Sequence, residues 1–180
     1  MKKIYVFILA FIIVSCNNAT TTKEVSYENE FTVTVPSMMR EGIDLNEEAD
    51  LQLSNGFNEL YLIVLSESKQ DFDSLVESEL RDENDTRSNF EWLVDITKSS
   101  VLDSCDLVYK EGSMKDSIIN GIEMKYTSIE AKVVGIDILY HYAWYNSRNK
   151  YYQILSWTLL SKKDKYNDVV RDMTLSFKEK

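Results

Sequence analysis

A chain of 180 residues with 30 Asp and Glu against 20 Lys and Arg, and so a formal charge of −10, is long enough for one domain with a real core. It lacks the basic surface that binding nucleic-acid phosphates requires. A single histidine excludes multi-histidine metal centres and leaves one possible base for any serine or cysteine nucleophile.

In chain order, Lys2 and Lys3 precede an apolar run over residues 4–14 and the small Ser15, the three parts of a secretion signal over residues 1–15. The run is too short to cross a bilayer, which takes roughly 20 apolar residues. The stretch Ile13-Val14-Ser15-Cys16 resembles the lipobox of bacterial lipoproteins. That resemblance implies cleavage before Cys16, diacylglycerol on its sulfur and a further acyl chain such as palmitate on the new amino terminus, so that Cys16 is the membrane anchor. Each buried CH₂ contributes about 0.8 kcal/mol, and more than one chain on one residue holds a soluble domain stably. Cleavage takes Lys2 and Lys3 away and moves the formal charge from −10 to −12. With Cys16 acylated, Cys105 is the one remaining thiol and no intramolecular disulfide forms. Its neighbours Asp103 and Asp106 disfavour a thiolate, so Cys105 reads as a small buried hydrophobe.

Residues 16–26 read as the lipidated cysteine and a flexible tether, because NNATTTKEVS has no hydrophobic period. A single domain then occupies 27–180. It opens with a strand in which Tyr27, Phe31, Val33 and Val35 alternate with polar residues up to Pro36. Asn55-Gly56 between two apolar runs marks a hairpin, and the nearly all-apolar stretch over residues 60–65 a strand covered on both faces. Ser68-x-x-Asp71, Ser88-x-x-Glu91 and Ser161-x-x-Asp164 predict three helix starts by the capping-box pattern. Behind them lie apolar stripes of Phe72, Leu75, Val76 and Leu80, of Phe90, Leu93, Val94 and Val101, and of Tyr166, Val169, Val170 and Met173. Between the second and third helices, DLVYK, GIEMKYTSIEAKV, DILYHYAWY and YYQILSWTLL form an antiparallel meander. This order, without βαβ alternation, predicts an α+β fold, an antiparallel sheet flanked by helices.

The opening strand ending in Pro36, the block ADLQLSNGFNELYLIV from residue 49, the strand YYQILSWTL and the closing Leu175-Ser176-Phe177 together resemble the PsbP-like, Mog-type α/β/α sandwich, in particular small lipoproteins of Gram-negative envelopes that carry it. The likeness spans most of residues 27–177. It implies binding and assembly rather than catalysis: one branch of relatives assists a photosystem, another binds a small nuclear GTPase.

No nucleophile-elbow, zinc-protease or P-loop pattern is present in the sequence, and no catalytic residue, cofactor or metal ligand is assigned. His141 falls mid-strand beside Leu139 and Ala143, with Tyr140, Tyr142 and Trp144 on the other face, and reads as a structural histidine. Asp44, Asn46, Glu48 and Asp50 have the spacing of a calcium loop, but Ala49 stands where its glycine belongs and Asn55 where its glutamate belongs. The candidate partner surface is the aromatic block Tyr140, Tyr142, Trp144, Tyr145, Tyr151 and Tyr152, since tyrosine and tryptophan supply many binding hot spots; packing beneath helices is the competing role. The expected function is that of a monomeric, noncatalytic binding or assembly module, lipid-anchored in the outer membrane of a Gram-negative envelope, with a protein partner. The alternative is a small-ligand carrier or a hydrolase acting on envelope material.

Overall fold

The computed structural model describes residues 21–42 and 44–180; the signal peptide and Cys16 lie outside the described residues. Two antiparallel sheets carry the fold. The smaller joins β1 (Thr22–Tyr27), β2 (Phe31–Pro36) and β10 (Lys178–Glu179) in the order β1-β2-β10. The larger contains β3 (Leu51–Asn55), β4 (Leu60–Ser68), β5 (Leu107–Glu111), β6 (Lys115–Ile119), β7 (Ile122–Val133), β8 (Ile136–Asn146) and β9 (Lys150–Leu159). Its order is β3-β4-β9-β8-β7-β5, and β6 pairs the other end of β7. Among the described residues the α-helices are α1 (Lys69–Leu75), α2 (Asn89–Asp103) and α3 (Lys163–Thr174).

The central strands are apolar on both faces because both faces are covered over most of their length. On one side Phe90, Leu93 and Val94 of α2 pack with Tyr142, Trp144 and Tyr151. On the other, Tyr166, Val170 and Met173 of α3 join Phe31, Val33 and Val35 of the small sheet over Leu62, Val64, Tyr145, Tyr152 and Ile154. Full burial of each such side chain contributes on the order of 1.5–3 kcal/mol. The result is the expected α+β sandwich.

Local signals differ in how they were realised. Ser88 and Glu91 form the complete capping box of α2, and Ser68 accepts from the Asp71 N–H at 3.4 Å to cap α1. Ser161 caps nothing: it lies inside a 3₁₀ turn, Leu160–Lys162, so that Lys162 is the N-cap of α3 and lends it no side-chain hydrogen bond. Helix α1 widens into a π turn, Val76–Leu80, closed by Arg81 N–H to the Val76 carbonyl at 2.9 Å. The wider turn breaks the 3.6-residue stripe, burying Val76 and leaving Leu75 and Leu80 exposed. At Asn55-Gly56 the hairpin is real but its loop is four residues long, from Asn55 to its partner Leu60. Gly56 takes no positive φ, whereas Glu59 does, at 58°. Asn55 acts through its side chain, whose Oδ1 accepts from the Asn58 N–H three residues on at 2.9 Å and so ties the loop.

The expected tether needs correction from residue 22 onward. Thr22–Tyr27 is a strand in register with β2, from Thr22 opposite Pro36 to Tyr27 opposite Phe31. Val25 and Tyr27 pack on the core, and the Lys23 Nζ donates to the Met39 carbonyl at 2.7 Å. With only two apolar residues in six, the alternation is too sparse to stand out, and the strand depends on its partner. Strands β6 and β10 were likewise not anticipated, and the last helix ends at Thr174, with Phe177 fully buried beyond it.

Candidate functional site

Strand β8 places Tyr142 and Trp144 under α2, and Tyr145 on the opposite face under α3 and the small sheet. Five of the six aromatic residues nominated as a partner surface, Tyr142, Trp144, Tyr145, Tyr151 and Tyr152, are therefore buried, and that surface is withdrawn. The polar tips of four of them are spent inside the protein. Trp144 Nε1 donates to Thr97 Oγ1 at 2.7 Å, Tyr145 OH to the Thr174 carbonyl at 3.1 Å, and Tyr151 OH to Asp73 Oδ1 at 2.8 Å. Tyr142 OH donates to Gln153 Oε1. Burial pushes the Tyr142 phenol up to about 12, as expected for a group that cannot ionise away from water. The physical reason for the correction is that α2 on one face and α3 with the small sheet on the other, all remote in sequence, cover β8, which alternation along one strand does not reveal.

The sixth residue, Tyr140, belongs to a different arrangement. Tyr61 on β4 is directly opposite Trp157 on β9, and Trp157 is directly opposite Tyr140 on β8. The three rings form a rung across the sheet, with Tyr61 and Trp157 stacked at 5.2 Å and 14°, and Tyr140 tilted against Trp157 at 6.0 Å and 50°. All three are only half-buried. Tyr61 OH donates to Glu59 Oε2 at 2.7 Å, and desolvation, with that carboxylate, pushes its phenol up to about 12. Sequence reading missed Tyr61 and Trp157, which lie 96 positions apart; only the strand register makes them neighbours.

His141 is buried beneath α3 on the opposite face. Tyr126 OH meets its Nδ1 and Asn167 Oδ1 its Nε2 at 3.2 Å. An amide oxygen only accepts, so Nε2 carries the proton and Nδ1 accepts from the phenol. Both nitrogens are thus engaged, and desolvation pulls the imidazole down to about 4. Ser156 stands directly across the ladder from His141, with a buried hydroxyl lacking a hydrogen-bond partner. The histidine has no free nitrogen with which to take that proton. Its role is structural, joining β7, β8 and α3.

The acidic loop is organised by its amides. Gln52 Oε1 accepts from the N–H groups of Leu45 and Asn46, and Asn46 Oδ1 from that of Glu48 at 2.8 Å, so Asn46 serves a turn. Asp44 and Asp50 line an open cleft of about 550 Å³ together with Tyr27, Glu28 and Glu41. Cys105 is half-buried rather than fully covered. Its Sγ donates to the Val101 carbonyl at 3.2 Å, and burial, helped by Asp106, raises its pKa, away from the thiolate a nucleophile needs.

An antiparallel sheet between helices on one side and a helix with a small sheet on the other defines the class of fold. No protein-family model matches the chain, and comparison with curated proteins finds no match. Among solved structures, the chain is similar to the cyanobacterial PsbP protein CyanoP of Synechocystis sp. PCC 6803, at 10% identity over 93% of this chain and 99% of that one, with a TM-score of 0.59. Weaker likenesses are to the Saccharomyces cerevisiae Ran-binding protein Mog1p, at 13% identity over 89% and 96% of the two chains with a TM-score of 0.49, and to a Pseudomonas aeruginosa protein of unknown function, at 11% over 82% and 89% with 0.48. The fold is PsbP-like.

Proposed function

We propose that this chain is a lipid-anchored, noncatalytic binding module of a Gram-negative outer membrane, held by acyl chains on Cys16, that offers the aromatic rung Tyr61–Trp157–Tyr140 to a protein partner. The observation that carries the reading is the rung itself, three neighbouring rings left half-open across β4, β9 and β8, whose other aromatics are packed away. Rigid aromatic area of this kind supplies binding energy at low entropic cost. The saturated, buried His141 argues against acid–base chemistry, and the residues 13–16 support the anchor. A photo-crosslinking amino acid at Trp157 in native membranes is expected to capture one protein, whereas the same group at exposed Asn29 is not, and Tyr61→Ala should abolish the adduct. No adduct at Trp157, or the same adducts at both positions, overturns the proposal.

A further inference from the structure

The strand registers collect several solvent-facing apolar residues at one end of the molecule. The pairs Asn55–Leu60, Ile138–Leu159, Val133–Ile136 and Leu107–Lys132 all close the large sheet at the same end. There Phe57, at the tip of the β3–β4 hairpin, is 92% exposed, and Val134, in the β7–β8 turn, is 85% exposed, with Met38, Leu107 and Ile136 also open to solvent. The turns at the far end are polar, Glu28-Asn29 between β1 and β2, Asn120-Gly121 between β6 and β7, and Ser147-Arg148-Asn149 between β8 and β9, and the one strongly exposed apolar residue near them, among the described residues, is Ile118 on the edge strand β6. Val134 adds a sign of selection over stability, because it holds a φ of 48°. A β-branched residue there is a true outlier, and a turn of this kind favours asparagine or glycine. Strain that places an apolar side chain in water points to a use for that side chain.

The chain also enters the described structure at this end. The Ser37 N–H donates to the Thr21 carbonyl at 2.8 Å, and Asn55 Nδ2 holds the neighbouring Met38 carbonyl at 3.0 Å. Thr21 follows Cys16 by five positions, and five residues reach at most about 18 Å. A lipid on Cys16 would hold this end against the bilayer. Two cations flank the tip of a chain otherwise rich in acid: Lys162 donates to the Phe57 carbonyl at 3.3 Å, and Arg40 to the carbonyls of Ser37 and Met39.

We infer that this end is a membrane-contact edge, with Phe57 and Val134 entering the interfacial layer of the bilayer that carries the acyl chains; the inference rests on the Cys16 anchor proposed above. Three strand spacings separate the two tips, about 14 Å, which gives a two-point contact that fixes the domain's tilt. Neither side chain binds a bilayer tightly alone. The short tether keeps them at high effective concentration beside it.

The test uses residues 16–180, which span every described residue, with Cys105→Ser, coupled through Cys16 to a maleimide phospholipid in nanodiscs that also hold a gadolinium-chelating lipid. Amide signals of 56–58 and 134–136 are expected to suffer a severalfold greater loss than those of 28–29 and 120–121. Phe57→Ser combined with Val134→Asn should erase the contrast. Uniform loss, or greater loss at the far end, overturns the inference. Incorporation of labelled fatty acid at Cys16 in cells is measured separately; its absence with the contrast intact overturns the anchor reading and the contact in cells with it, and shows only that this end meets a bilayer once tethered.

Discussion

The single histidine makes the folded state acid-sensitive in a way that can be isolated. His141 is held at about 4 against an ordinary value of 6.5, chiefly by desolvation. Between those values the unfolded chain binds a proton that the folded chain refuses, so stability falls as pH drops through 6.5 and the loss levels off once pH is below about 4. The shift corresponds to a loss of about 2 kcal/mol at pH 5, approaching about 3 kcal/mol at pH 4. Of the charged groups facing the ring, Arg171 opposes protonation, while Asp168 and Asp172 favour it. The assay is urea unfolding at pH 4 to 8 of the wild type and His141→Gln. Carboxylate titrations cancel in the difference between the two, and wild type should lose its relative stability only below about pH 6.5. A difference that stays flat from pH 7 to pH 4.5 would refute the reasoning, because the ring would then titrate alike in both states.

Two further outcomes separate buried from open positions and true from apparent caps. Trp144→Ala, which removes a fully buried ring, should cost about 3–5 kcal/mol, and Trp157→Ala less than about half of that because its ring is half-exposed; equal costs in denaturant titrations would mean that the rung is part of the core. Ser88→Ala should destabilise by about 1 kcal/mol, whereas Ser161→Ala, which removes no cap bond, should leave the thermal midpoint unchanged. A loss at Ser161 as large as at Ser88 would place a cap where the 3₁₀ turn now stands.

Much of this fold could be read from alternation because central antiparallel strands leave a strong trace. The face assignment of β8, with Leu139, His141 and Ala143 on one side and Tyr140, Tyr142 and Trp144 on the other, follows from period two alone. Elements without an apolar pattern of their own could not be read. Strand β1 depends on β2 for its register, β6 is mostly charged and polar and leans on β7, and β10 is two residues long. The site was less legible than the fold for a related reason. Aromatic density pointed at β8 and β9, where most rings serve the core, while the open rung is defined by what does not cover it. Covering is settled by where α2 and α3 pack, and no local window of sequence contains that information.

The rung and the membrane-contact edge constrain one another. Tyr61 lies four residues beyond Phe57 in the chain, so the rung begins within about 14 Å of the hairpin tip. Docking of Phe57 and Val134 would set the strands upright on the bilayer and turn the sheet face that bears Trp157 sideways, close above the headgroups. A partner reaching Trp157 would then have to be membrane-bound itself, since a freely soluble protein of ordinary size would meet the lipid surface first. Phe57→Ser should accordingly reduce crosslinking from position 157 in membranes while leaving the fold's thermal midpoint unchanged, because the side chain it removes touches mostly solvent. Undiminished crosslinking would mean that the rung finds its partner without the orientation that the edge imposes, and the two surfaces would then act independently.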